Sequence, residues 1–235
     1  MTEPAGTTIE PQAAARPLPF RFYTSLILQE ATGLRAATLP TLVKLLELVP
    51  ESCIYHHTHH FLLQHHYLTP EPTNDFAYWV TEVLGEAPLG ERLASLDVMA
   101  HTSLDGLRKT LIEIIRGYLH QSPWAKLRFV REGQEFFFIK TLHVIMPTPY
   151  QASTLDEFAQ ALRQVSVPSL YYHMFASRLR LGRPSNDFAV WIEQQLGLPG
   201  LAQDIAQLDP YAHTLESLRS LLLSLIHQEL GRSHA

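Results

Sequence analysis

Apolar residues recur three and four positions apart in several stretches of the chain, with Pro and Gly breaks between them. The same succession of stretches occurs twice. Residues 39–49 and 155–165 place Leu, Val and Phe on one helical face, the pattern of a half-buried helix. Thr38 and Thr154 stand before them as N-caps. A second helix is predicted over 54–68 and again over 170–181, ended by Pro70 and Pro72 in one case and by Gly182 and Pro184 in the other. Asn74 and Asn186 are predicted caps of a third helix, with Phe76 and Trp79, and Phe188 and Trp191, three apart on its inner face. Pro88 and Pro199 open a short fourth helix. Thr102 and Thr214 cap a long last one, and Thr102 with Asp105 fits a capping box. Strand-prone aromatic stretches, 20–27 and 136–146, precede each set. Residues 127–130 and the Glu132-Gly133 turn suggest that the second stretch is one arm of a hairpin.

The recurrence extends to individual residues. Asn74-Asp75-Phe76-Ala77-Tyr78-Trp79 returns as Asn186-Asp187-Phe188-Ala189-Val190-Trp191, an offset of 112. Leu84-Gly85, Leu96-Asp97 and Ala100-His101-Thr102 return at the same offset. Thr38-Leu39 and Tyr55-x-His57 return at 116, as Thr154-Leu155 and Tyr171-x-His173. Agreement at so many separated positions predicts a tandem duplication. The predicted organisation is a flexible tail over 1–19, a first module over 20–122 and a second over 123–235, joined near 121–126. The fold class expected is mainly α with a small β element, and short loops predict two halves packed about a pseudo-twofold axis.

Composition narrows the function classes. With 46% hydrophobic and 17% charged residues the chain is an ordinary globular protein. A formal charge of -5 without clustered Lys and Arg argues against nucleic acid as a partner. Cys53 is the single cysteine, which fits a reducing, cytoplasmic setting. The tail lacks a signal-peptide pattern, and no apolar run is long enough to span a membrane.

One segment stands out chemically. Six of the thirteen histidines, His56, His57, His59, His60, His65 and His66, lie within eleven residues. On a helix His56 and His60 share a face, with His59 and His66 on the adjoining edge, an arrangement able to hold zinc or another divalent transition metal. Asp97, His101 and Glu71 are further candidate donors from the nearby chain. The repeat separates these residues. His57 matches His173, so it serves the fold, whereas His56, His59 and His60 match Tyr172, Phe175 and Ala176 and form, with His65 and His66, a specialised set. Imidazoles buried in ordinary hydrogen bonds are the alternative explanation. In the second half Arg178, Arg180 and Arg183 stand where the histidines were, and with Tyr67 they make candidate ligands for an anionic sugar or sugar phosphate. If the two unlike helices meet, histidines would line one wall of a pocket and arginines the other. Asp97 with His101, and Asp209 with His213, read as residues at a helix entrance. No His-Glu-x-x-His, Glu-x-x-His, Gly-x-Gly-x-x-Gly or Gly-x-Ser-x-Gly motif occurs.

The residues Phe20 and Phe22, Thr32-Gly33-Leu34, Tyr55-x-His57, Asn74 to Trp79 and Leu96 with Thr102 together resemble an uncharacterised bacterial domain-of-unknown-function family. The resemblance covers the chain after residue 19. It implies an association with sugar-metabolism proteins such as glycosyltransferases, and hence a protein partner; it brings no catalytic residues. Where the first half has Thr32-Gly33-Leu34 the second has Thr148-Pro149-Tyr150, and Pro cannot take the positive φ open to Gly, so that turn is expected to differ. The reading that follows is a non-catalytic binding or regulatory module, with a metal-binding protein or metal-dependent enzyme as the alternative.

Overall fold

The computed structural model describes residues 18–59, 74–101, 103–176, 185–208 and 213–233. The chain is mainly helical, with one two-stranded antiparallel sheet. In the first half β1 (Phe20–Ala36) leads into α1 (Leu39–Leu48), α2 (Glu51–His59), α3 (Asp75–Tyr78) with a π-helical turn (Trp79–Val83), α4 (Ala87–Ala94) and α5 (Leu104–Gln121). A 3-10 turn (Pro123–Leu127) joins it to the second half. There β2 (Phe136–Ala152) is followed by α6 (Leu155–Gln164), α7 (Val167–Tyr171) with a π-helical turn (Tyr172–Ala176), α8 (Asp187–Leu196), α9 (Pro199–Ala206) and α10 (Leu215–Ser233). No described helix is long and apolar enough to cross a membrane.

The helix starts follow the sequence closely. Thr38, Thr154, Asn74, Asn186 and Thr214 each accept a hydrogen bond from a backbone N–H three residues on, which satisfies a donor left unpaired in the first turn. One cap is displaced. α5 is capped by Ser103, whose Oγ accepts from Gly106 N–H at 3.1 Å, and not by Thr102.

The β element departs further from expectation. Both strands run 17 residues, well past the aromatic stretches. The stretch 127–130 is not a hairpin arm; β2 pairs with β1, from Phe20 opposite Ala152 to Ala36 opposite Phe136. A bulge interrupts each end of the ladder. At one, Thr32 Oγ1 donates to Phe138 C=O and accepts from Leu34 N–H, with Gly33 at φ +76°. At the other, Thr148 Oγ1 donates to Phe22 C=O and accepts from Tyr150 N–H. Pro149 therefore sits in a bulge held as Gly33's is, although no described non-Gly residue has a positive φ.

The strands cross between the halves. Phe20 and Phe22 of β1 lie in the core formed by α6 to α10, whereas Phe136 and Phe138 of β2 lie in the core formed by α1 to α5. Ala36, at the far end of β1, returns to the first core and Ala152 to the second. Each helical group is thus closed by the opening residues of the other group's strand.

Candidate functional site

The histidines of α2 are buried, not displayed. His57 donates from Nδ1 to Asp75 Oδ2 at 2.8 Å, while its Nε2 accepts from Ile139 N–H at 3.0 Å. An acceptor at Nε2 requires the neutral ring, and the carboxylate fixes the tautomer. His173 makes the same pair of contacts, to Asp187 Oδ2 at 2.9 Å and Tyr23 N–H at 2.8 Å. Both rings therefore stitch a strand to the helices it closes. His56 Nδ1 lies 2.8 Å from Thr141 Oγ1. Thr58 donates its hydroxyl to Ile54 C=O, leaving its oxygen to accept from His59 Nδ1–H at 2.7 Å. His59 also stacks on Tyr55.

Helices α2 and α7 do meet, through tyrosines. Tyr55 OH and Tyr171 OH are 2.6 Å apart, and Tyr171 OH donates to His59 C=O at 3.1 Å. The Tyr55 hydroxyl is then the donor in the pair. Complete burial, with Tyr55 beside it, pushes the Tyr171 phenol well above its ordinary value. His143 approaches Tyr55 edge-on at 4.8 Å, from the strand position opposite Ile27. Sequence reasoning passed over His143 and the tyrosine contact. The signal available was Tyr at the same place in both halves; nothing local distinguished His143 from a strand residue.

Of the four proposed metal ligands, His56 and His59 are placed on α2, and His60 and His66 lie outside the described residues. So do Glu71, Tyr67, Arg178, Arg180 and Arg183. The grouping that the described residues offer is a different one: ligating atoms of His56, His57 and Asp75 lie within 4.8 Å of one another. An ion there would compete with the His57–Asp75 hydrogen bond. Asp97 Oδ1 accepts from Ala100 N–H and closes a turn before α5. Cys53 is buried, and that burial raises its thiol, which keeps it protonated and unreactive.

An open cleft of about 380 Å³ lies between the start of β1 and α8. Its walls include Arg21, Tyr23, Tyr172, Asp187, Trp191 and Gln194. Trp191 Nε1 donates to Leu18 C=O and Gln195 Oε1 accepts from Leu18 N–H, so the residues leading into β1 are tied to α8. The frame of this cleft recurs in the first half, where His57, Asp75 and Trp79 stand for His173, Asp187 and Trp191, and Trp79 Nε1 donates to Gln134 C=O. The rim does not recur. In place of Arg21, Tyr172 and Gln194 the first half has Phe137, His56 and Glu82. The third member of the metal-capable group thus occupies the position that Tyr172 holds at the cleft.

Residues 17–227 match a family described as a family of unknown function (DUF5752). The solved structure described as that of OrfY from Thermoproteus tenax is similar to this chain at 27% identity and a TM-score of 0.78, over 91% of this chain and 97% of that one. No curated protein matches.

Proposed function

The chain belongs to this family of unknown function (DUF5752), and from the geometry and the sequence resemblance we propose that it is a non-catalytic binding or regulatory module working with an enzyme of carbohydrate metabolism. The reading includes a tandem duplication whose halves exchange strands about a pseudo-twofold axis near Tyr55 and Tyr171. A shared frame with unshared rims is what duplication followed by specialisation produces. The association with carbohydrate metabolism rests on the sequence resemblance.

The observation that carries the binding reading is the cleft of about 380 Å³, within the usual range for small-molecule sites. Arg21 supplies a planar cation for a phosphate or carboxylate, Gln194 and Tyr23 face hydroxyl groups, and Tyr172 offers an aromatic face to an apolar ring surface. The ligand class is an anionic sugar or sugar phosphate. Arg178, Arg180 and Arg183 belong to the segment joining Tyr172's turn to α8, and with Tyr67 they remain part of the proposed ligand set. Calorimetry with a hexose 6-phosphate, the neutral hexose and inorganic phosphate tests the reading. The sugar phosphate is expected to bind best, and Arg21→Ala or Gln194→Ala to weaken it about tenfold or more. Equal heats for variant and parent, or none for any probe, would remove the cleft from consideration.

A second reading has its own observation, the convergence of His56, His57 and Asp75. It makes the chain a zinc or other divalent transition-metal binder, with His59, His60 and His66 as further donors and a metal-dependent reaction as the extension. Elemental analysis of tag-free protein decides it. Near-stoichiometric metal that disappears in His56→Ala supports this reading; metal-free protein after dialysis against zinc ends it.

A further inference from the structure

The segment 123–131, between the halves, presents large apolar side chains to solvent while its backbone is held in place. Ala125 and Val130 are buried in the first core. Val130 N–H donates to Ala37 C=O at 3.0 Å, and Ala125 N–H to Ser122 C=O at 3.0 Å. Beside these anchors Trp124, Leu127 and Phe129 are 81%, 69% and 75% exposed. Trp124 and Leu127 are three apart in a 3-10 turn, so they stand on one side of it. Lys126, Arg128 and Arg131 are interleaved with them and exposed. Arg128 reaches Glu86 at 3.0 Å yet keeps most of its side chain in water. Together the three apolar side chains show roughly 400 Å², a large apolar exposure for so short a segment.

The sequence repeat does not carry these side chains. At the equivalent distance before β1 the chain has Thr8, Pro11 and Ala13. We propose that residues 123–131 are a docking epitope for a protein partner whose matching surface is acidic around an apolar slot. The proposal rests on the reading of the chain as a module that acts through a protein partner, and not on the cleft. Charge complementarity selects the partner: three cations flank the aromatics in a chain whose net charge is -5. Trp and Arg are the side chains from which interface hot spots are most often built. An anionic bilayer would repel the chain as a whole. A second copy meeting epitope to epitope would oppose like charges.

The test is selection of a random-peptide phage library on the full-length chain. Enriched peptides are expected to join Asp or Glu to Trp, Phe, Leu or Ile. Synthetic copies should bind about tenfold or more weakly to Trp124→Ala and Phe129→Ala, and more weakly at high salt. The variants should melt with the parent, since the altered side chains are exposed. Absence of enrichment, peptides without acidic residues, or binding indifferent to these substitutions overturns the proposal. Co-sedimentation with phosphatidylglycerol vesicles that the substitutions abolish assigns the patch to lipid instead, and a dimer that Trp124→Ala disperses assigns it to a second copy. Hexose 6-phosphate binding is measured on the same variants. If it survives while the peptides fail, the epitope falls and the module reading stands.

Discussion

Tyr55 and Tyr171 meet hydroxyl to hydroxyl at 2.6 Å in a buried position between the halves. Tyr171→Phe leaves His59 C=O without the phenol that donates to it, a loss of about 1–3 kcal/mol. Tyr55→Phe keeps that donor and should cost less; urea unfolding of the two variants compares them directly. The phenol of Tyr171 also sets an alkaline limit. Its folded value is raised by burial, so its contribution is complete below the unfolded tyrosine value of about 10 and is lost as pH rises toward the folded value. Absorbance titration should show Tyr171 ionising only as the fold is lost; early titration of all nine tyrosines would contradict this. His57 and His173 were legible in the sequence as structural, because the repeat kept them. Their partners were not, since a backbone N–H on a distant strand leaves no mark in residue type.

At the scale of elements, α1 and α6 end on arginines borrowed from the long helices. Arg108 donates to Leu46 C=O and Val49 C=O at 2.8 and 2.7 Å; Arg219 donates to Leu162 C=O and Val165 C=O at 2.6 and 2.7 Å. Each cation meets the carbonyls that a helix C-terminus leaves unpaired. Arg108→Leu and Arg219→Leu should each cost about 1.5–3 kcal/mol and lower Tm by on the order of 5 °C. The effects should add, because the sites share no partner; a calorimetric scan of both single variants and the double one checks this. The helix starts were readable from caps and spacing, apart from the shift to Ser103 and from α2 and α7, which begin at Glu51 and Val167, three residues before the predicted starts. The predicted continuations to 68 and 181 lie outside the described residues. The strands were read too short because their ladder continues through polar residues, and the hairpin was misassigned because pairing over so long a separation has no local signature. The candidate site was legible only as a concentration of histidines. The residues that line the cleft, Arg21, Tyr172 and Gln194 among them, lie far apart in the chain.

The whole molecule is organised by the exchange of strand ends. Phe20 and Phe22 close the second core, and Phe136 and Phe138 the first. Expressed separately, residues 18–122 and 123–235 should fail to give folded monomers, each lacking the aromatics that complete it. Because Phe20-x-Phe22 and Phe136-x-Phe138 are alike, self-pairing of one fragment is the expected rescue; co-expression should give a one-to-one complex. A single fragment that unfolds cooperatively as a monomer would contradict the exchange. Light scattering and thermal unfolding make the distinction.

The crossing also imposes an order on biosynthesis. When the ribosome has released α5, the last helix of the first half, the two phenylalanines that cover that half's interior have still to emerge. β1, already made, belongs in part to a core that does not yet exist. The N-terminal half therefore waits with its apolar interior open until β2 has emerged. A nascent chain halted before Phe136 should remain sensitive to protease, and the interval before β2 appears is when the cell's chaperones have most to hold.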